Sequence, residues 1–192
     1  MFITKKSIIG IIKLAGIIST ESRLGSRGGL NLNDLSDSIT KAFSFKNMKA
    51  IALLVNSPGG SPVQSALIAN RIRDLAKEKE IPVYCFIEDL AASGGYWLSC
   101  AGDKIYAMES SIIGSIGVIT AGFGAVEAIK KIGIERRVYS QGKNKGLLDP
   151  FLPEKKDDIK QILTIQKDLH SQFIAWVKKR RGKRLKANDE VL

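Results

Sequence analysis

Residues 50–62, AIALLVNSPGGSP, constrain this chain more than any other stretch. A short, β-branched apolar run stopped by a Gly/Pro/Ser cluster is what a buried strand entering a glycine loop looks like. Across 63–79, Val63, Ala66, Leu67, Ile68, Ile72, Leu75 and Ala76 then recur close to helical spacing, with the charges mostly between them. IPVYCFI (81–87) is the next buried strand. Strand, helix and strand in this order call for α/β layers, with helices packed on a largely parallel sheet.

The rest of the chain extends the series. SIIGIIKLAGII (7–18) reads as another buried strand, DKIYAM and SIGVITAG as short strands, and ERRVYS (135–140) as a further one. GAVEAIKKIG reads as a helix stopped at Gly133. From Pro153 to about Lys179, Ile159, Ile162, Leu163, Leu169, Phe173, Trp176 and Val177 trace one face of a long helix. No repeat or low-complexity linker interrupts the pattern.

With 192 residues, 44% apolar and 26% charged, the chain has the size and composition of one globular domain. Its net charge of +11 is local, because KKRRGKRLK (178–186) holds seven basic residues. Such a run reads first as a solvated helix end, with a lipid or partner contact as the alternative. No aromatic residue interleaves it, so nucleic acid is not an expected partner. Cys85 and Cys100 show no CxxC or His-rich spacing, so neither metal nor redox chemistry is expected. Lys13 breaks the amino-terminal apolar stretch, which is too short for a membrane helix and lacks a clear cleavage site, so the expected location is cytoplasmic.

Chemistry concentrates in LAASGGYWLSCAG (90–102), where Ser93 stands between two alanines and two glycines. A serine nucleophile needs a base, donors for the oxyanion and space at the reacting carbon. Gly94 and either Gly59 or Gly60 are candidate donors. The plainer alternative is a tight strand-to-helix turn with Ser93 capping the helix. His170, the only histidine, falls on the long helix and suits a polar surface position better than a triad. Arginine does not lose its proton in proteins, which leaves lysine as the base. That lysine must be neutral near pH 7 to 8 against an ordinary value of about 10.4, which burial can achieve. Composition does not say which lysine it is.

LLVNSPGGS, then AASGGYWLSCAGDKIYA, then GSIGVI resemble the signal peptide peptidase A family of serine peptidases, family S49. The resemblance implies a Clp protease/crotonase-like α/β fold of repeated strand-strand-helix units in a single domain over 1–192. It implies Ser93 as nucleophile and, from GKNKGLLDP, Lys145 as general base, 52 residues later. Ser115, 22 residues after Ser93, resembles the serine that holds the lysine, and Gly60 and Gly94 resemble the oxyanion donors. Tyr96 and Trp97 read as core anchors. The implied activity is hydrolysis of extended peptides, such as cleaved signal-peptide remnants, without metal or cofactor and in a homo-oligomer. The chain resembles the short, anchor-free bacterial members, and its end, RRGKRLKANDEVL, resembles the segment that precedes a carboxyl-terminal strand-helix unit. Two other classes share parts of this pattern: a crotonase-like acyl-CoA enzyme, and a weakly catalytic binding protein whose basic tail associates peripherally with a membrane surface.

Overall fold

At the centre of the sheet in the computed structural model is β2 (Met48–Ser57), which pairs in parallel with β1 (Ile8–Ala15) on one side and β3 (Val83–Ala92) on the other. The structure describes residues 6–20, 29–142 and 145–187. It divides into two units, one of residues 1–117 with 173–192 and the other of residues 118–172. In the first unit β3 shares its far edge between two short strands. β4 (Lys104–Tyr106) pairs along Tyr84–Phe86, and β5 (Ile112–Gly114) along Leu90–Ala92, both parallel. The chain is thus a mixed α/β protein built on a parallel sheet.

Alternation along the strands decides which side is packed. Ile12 and Leu14 of β1, Ile51, Leu53 and Val55 of β2, and Val83, Cys85 and Ile87 of β3 point into one continuous core. Over that face lie α1 (Leu32–Ser44) and α2 (Pro62–Lys79), which bury Ile39, Ala42 and Phe43, and Ile68, Ala69, Ile72, Leu75 and Ala76 respectively. Local chemistry sets the helix ends. Asn31 Oδ1 accepts the Asp34 amide at 2.9 Å at the start of α1. Ser61 Oγ accepts that of Gln64 at 3.3 Å, with Pro62 opening α2.

Four expectations need correction. The stretch 7–18 is not buried throughout: β1 is the end strand of the sheet, and Ile9 and Ile11 are 61% and 65% exposed on its other face. Val63 and Leu67 fall outside the stripe of α2 that meets the sheet and are exposed. SIGVITAG is not a strand, because Gly114 and Ser115 both take positive φ and turn the chain off the extended path after β5. ERRVYS forms no strand either, since among the described residues it has no neighbouring strand to pair with. Conversely, the sequence series did not include α1.

The second unit holds α4 (Val126–Lys131), ended near Gly133 at φ 74°, and the first part of α5 (Lys156–Arg181). None of its described residues is buried. Of the apolar stripe expected on the long helix, Phe173 and Val177 are buried in the core of the first unit and Trp176 packs against it half-buried.

Candidate active site

β3 ends at Ala92, and the next residue, Ser93, has φ 52° and ψ −122° before α3 (Gly94–Ser99) begins. A non-glycine residue in that region carries strain of about 1–3 kcal/mol and persists only where its surroundings hold it. Here the Ser93 amide donates to Gly114 O at 2.8 Å, and its carbonyl accepts from the amides of Tyr96 at 2.9 Å and Trp97 at 3.1 Å. The backbone is therefore fixed on both sides. The hydroxyl makes no capping hydrogen bond to α3, so the plainer role for this serine is not the one it plays.

The SPGG loop packs directly against this turn. Gly59 sits at φ 96°, and a Cβ there would come within 2.8 Å of Ser93 Cβ and 2.7 Å of the Gly94 nitrogen. Gly60 takes φ 140°, where a Cβ would lie 2.0 Å from Ile18 O. Only glycine fits either place. Buried Ser57 donates its hydroxyl to Gly16 O at 2.7 Å and accepts the Gly59 amide at 3.2 Å. The Gly59 N–H is thereby committed, whereas that of Gly60 has no acceptor among the described residues. Gly94, as the first residue of α3, has no intrahelical acceptor for its own amide.

Ser115 comes to the same place through the sheet. Ala92↔Gly114 is the last pair of that register, the Ser93 amide donates to Gly114 O at 2.8 Å, and Ser115 is the residue that follows, also at positive φ, 54°. The first unit therefore brings together Ser93, Ser115, Gly60 and Gly94. Lys145 belongs to the second unit, in a turn where its amide donates to Gly142 O at 3.3 Å and its side chain is exposed. Lys143 and Asn144 of GKNKG, and residues 188–192 of the terminal segment, lie outside the described residues. His170 is half-buried on α5.

Sequence reading missed the far end of α3. Trp97 is buried against Phe173, ring centroids 4.8 Å apart, and stacks with Trp176 at 6.3 Å. Trp176 Nε1 donates to Trp97 O at 3.0 Å. Beyond it Arg180 donates through Nε to Cys100 O at 2.9 Å, and through a terminal nitrogen to Asp103 Oδ1 at 3.1 Å. Arg73 reaches Ala101 O at 3.1 Å and the same Asp103 oxygen at 2.8 Å. The signal for this cluster lay in the basic run, which reads as solvated until its partners are known. Nearby, burial pushes the Cys85 thiol up to about 11 and the Cys100 thiol and Tyr96 phenol up to about 12. Both thiols stay protonated and unreactive at neutral pH.

Residues 75–191 match the model of peptidase family S49. A Brucella melitensis protein named Na(+)/H(+) antiporter NhaA is 49% identical over 183 residues, which is 95% of this chain and 25% of that protein. An Enterococcus faecium protein named as a signal peptide peptidase, SppA, is 34% identical over 180 residues, 94% of this chain and 51% of its own length. The chloroplastic serine protease SPPA of Arabidopsis thaliana is 35% identical over 155 residues, 78% of this chain and 23% of its own. The chain thus spans about a quarter to a half of these curated relatives. The antiporter name belongs to a protein most of which lies outside the match, and no described helix here is long and apolar enough to cross a membrane.

Proposed function

The chain belongs to peptidase family S49, and from that premise we propose that it is a serine endopeptidase with Ser93 as nucleophile and Lys145 as general base. The observation that carries this reading is a strained serine whose hydroxyl makes no hydrogen bond among the described residues, followed at once by the Gly94 amide, which has no intrahelical acceptor. Strain at a strand-to-helix turn is how a nucleophile is thrust out of a sheet, and a hydroxyl not spent on capping is free for chemistry.

In this mechanism neutral Lys145 takes the proton of Ser93 Oγ as the oxygen attacks a peptide carbonyl. The tetrahedral oxyanion is met by the Gly60 and Gly94 amides, a choice supported by the engagement of Gly59 with Ser57. Lys145 returns the proton to the leaving amine, and then activates the water that hydrolyses the acyl-enzyme. Ser115, which follows the Ala92↔Gly114 pair as Ser93 does, orients the lysine. The parallel sheet with helices on one face is consistent with a Clp protease/crotonase-like fold. Signal-peptide remnants are the proposed substrate, after the name of the Enterococcus relative.

A homo-oligomer completes the proposal. A neutral lysine asks for burial, and Lys145 is exposed in the single chain, as are Phe123 and Leu163 of the same unit. The membrane-surface reading has less to draw on, since Arg180 and Arg184 are turned toward backbone carbonyls at the end of α3.

The test is the intact-mass shift after treatment with a serine-directed fluorophosphonate between about pH 6 and pH 10, on the wild type, Ser93→Ala and Lys145→Ala. The reading expects one adduct in the wild type, formed faster as pH rises, none in Ser93→Ala and a rate roughly a hundredfold lower in Lys145→Ala. A folded wild type that takes no label overturns it. Binding of coenzyme A would favour the acyl-CoA enzyme instead.

A further inference from the structure

We propose that Arg180, together with Trp176, is a positioning residue for Ser93, holding α3 at its carboxyl end and so fixing where the Ser93 hydroxyl and the Gly94 amide stand. The role rests on the reading of Ser93 as the nucleophile.

α3 has six residues, too few to be stable by itself. Of its last four carbonyls, those of Tyr96, Leu98 and Ser99 accept from the amides of Cys100, Ala101 and Gly102, which leaves Trp97 O and the carbonyls of residues 100–102 just beyond, at the negative end of the helix dipole, for other donors. α5 supplies a donor for each of these. Trp176 Nε1 takes Trp97 O, and the Arg180 guanidinium forks over Cys100 O at 2.9 Å and Ala101 O and Gly102 O at 3.4 Å each. Arg180 is itself held by Asp103 Oδ1, lies with its Cζ 5.9 Å from the Trp176 ring centroid, and leaves only 18% of its side chain exposed. Arg184 donates to Asp103 O and to Arg180 O, locking the next turn in place.

At the other end of α3 stands Ser93, whose dihedrals survive only while both flanks are held. The amino-terminal flank is tied by Gly114 O and by the Gly59 contact. With the carboxyl end released, α3 rotates or frays, and the strain at Ser93 relaxes into a commoner backbone conformation. The hydroxyl and the Gly94 amide then leave their places together. Lysine does not substitute, because an ammonium lacks the planar fork that spans several carbonyls at once.

Fluorophosphonate labelling of the full chain, with kinact and KI determined separately, tests this on Arg180→Met, Arg180→Lys and Trp176→Phe. The last keeps an aromatic ring while removing the N–H donor and one ring of the indole. Both Arg180 variants are expected to lower kinact roughly tenfold to a hundredfold, because small misplacements of reacting groups cost that much. KI should hold, and millimolar guanidinium should restore part of the rate in Arg180→Met. Trp176→Phe should lower kinact by about threefold, the effect of a lost neutral hydrogen bond. Urea denaturation separates this from loss of fold, and if Arg180→Met does not fold, Trp176→Phe decides. Wild-type kinact in the folded variants overturns the positioning role while leaving Ser93 as nucleophile. A wild type that carries no label at Ser93 overturns the nucleophile reading itself.

Discussion

The two units of this chain use apolar residues in opposite ways. In the first, the inward residues of β1, β2 and β3 join α1, α2 and α3 in one buried cluster, which reaches on to Phe173 and Val177 of α5. In the second, Ile119, Phe123, Ile132, Tyr139 and Leu163 all stand in contact with solvent. A stretch with no buried residue of its own gains little from the hydrophobic effect, and its apolar groups gain burial only from a surface that covers them. Ser93 is thus held by a frame the single chain completes by itself, while Lys145 sits where the chain supplies no core. The proposed pair joins a rigid member to an exposed one.

The sharpest test of that contrast is chemical. Ser93→Ala is expected to lower peptide hydrolysis by roughly 10⁴-fold or more, with little change in thermal stability, because the alanine occupies the same turn and no hydroxyl bond to α3 is lost. Hydrolysis assays and thermal melts on one sample check both halves. If the variant keeps its activity, the rigid frame holds something other than a nucleophile.

Next comes packing. Phe173→Ala, at a residue 4% exposed against the Trp97 ring, should cost about 3–5 kcal/mol in urea denaturation. Phe123→Ala, at a residue 92% exposed, should stay within about 0.5 kcal/mol for the isolated chain. Equal costs would erase the distinction between the units.

A pH titration probes the first unit alone. Burial raises the pKa of Cys85 to about 11 and those of Cys100 and Tyr96 to about 12, so folding favours their neutral forms. Their contribution is complete below the unfolded values, near 9 for the thiols and 10 for the phenol. It is lost as pH rises through the folded ones. Stability should therefore be flat with respect to these groups up to about pH 8.5 and fall steadily above it, as read by denaturation midpoints. A midpoint that holds to pH 11 would show that these side chains are not sealed in. The smallest effect belongs to the second unit: Leu163→Asp should leave the fold intact and shift sedimentation toward smaller species, if the exposed face is where copies meet.

Much of the first unit could be read directly from the residues. The passage from AIALLVN through the glycine loop into α2 is written locally, in β-branched residues, a proline and a serine cap, so the sequence reports it. The small-residue setting of Ser93 is equally local, although its dihedrals are not. α1 left a weaker trace: Asn31 and Asp34 mark its start, but the serines and aspartates among Leu35, Ile39 and Phe43 dilute the stripe. The expected strands at 115–122 and 135–140 failed because a strand is defined by its neighbour as much as by its own residues. Nothing near Arg180 in the sequence reveals that its acceptors lie in residues 100–103. A guanidinium at a helix end looks the same whether it faces water or a row of carbonyls.

That distance along the chain has a consequence for biosynthesis. The carbonyls of Trp97 and of residues 100–103 wait for donors from Trp176, Arg180 and Arg184, which follow them by 78 to 81 positions. A ribosome adds residues at about 5–20 per second, so several seconds separate the making of Ser93 from the arrival of the groups that steady its helix. During that interval the emerging chain carries the serine without the completed support. With Ser93 as the proposed nucleophile, a chain assembled in this order is least reactive while it and its newly made neighbours are still unfolded and easiest to cut.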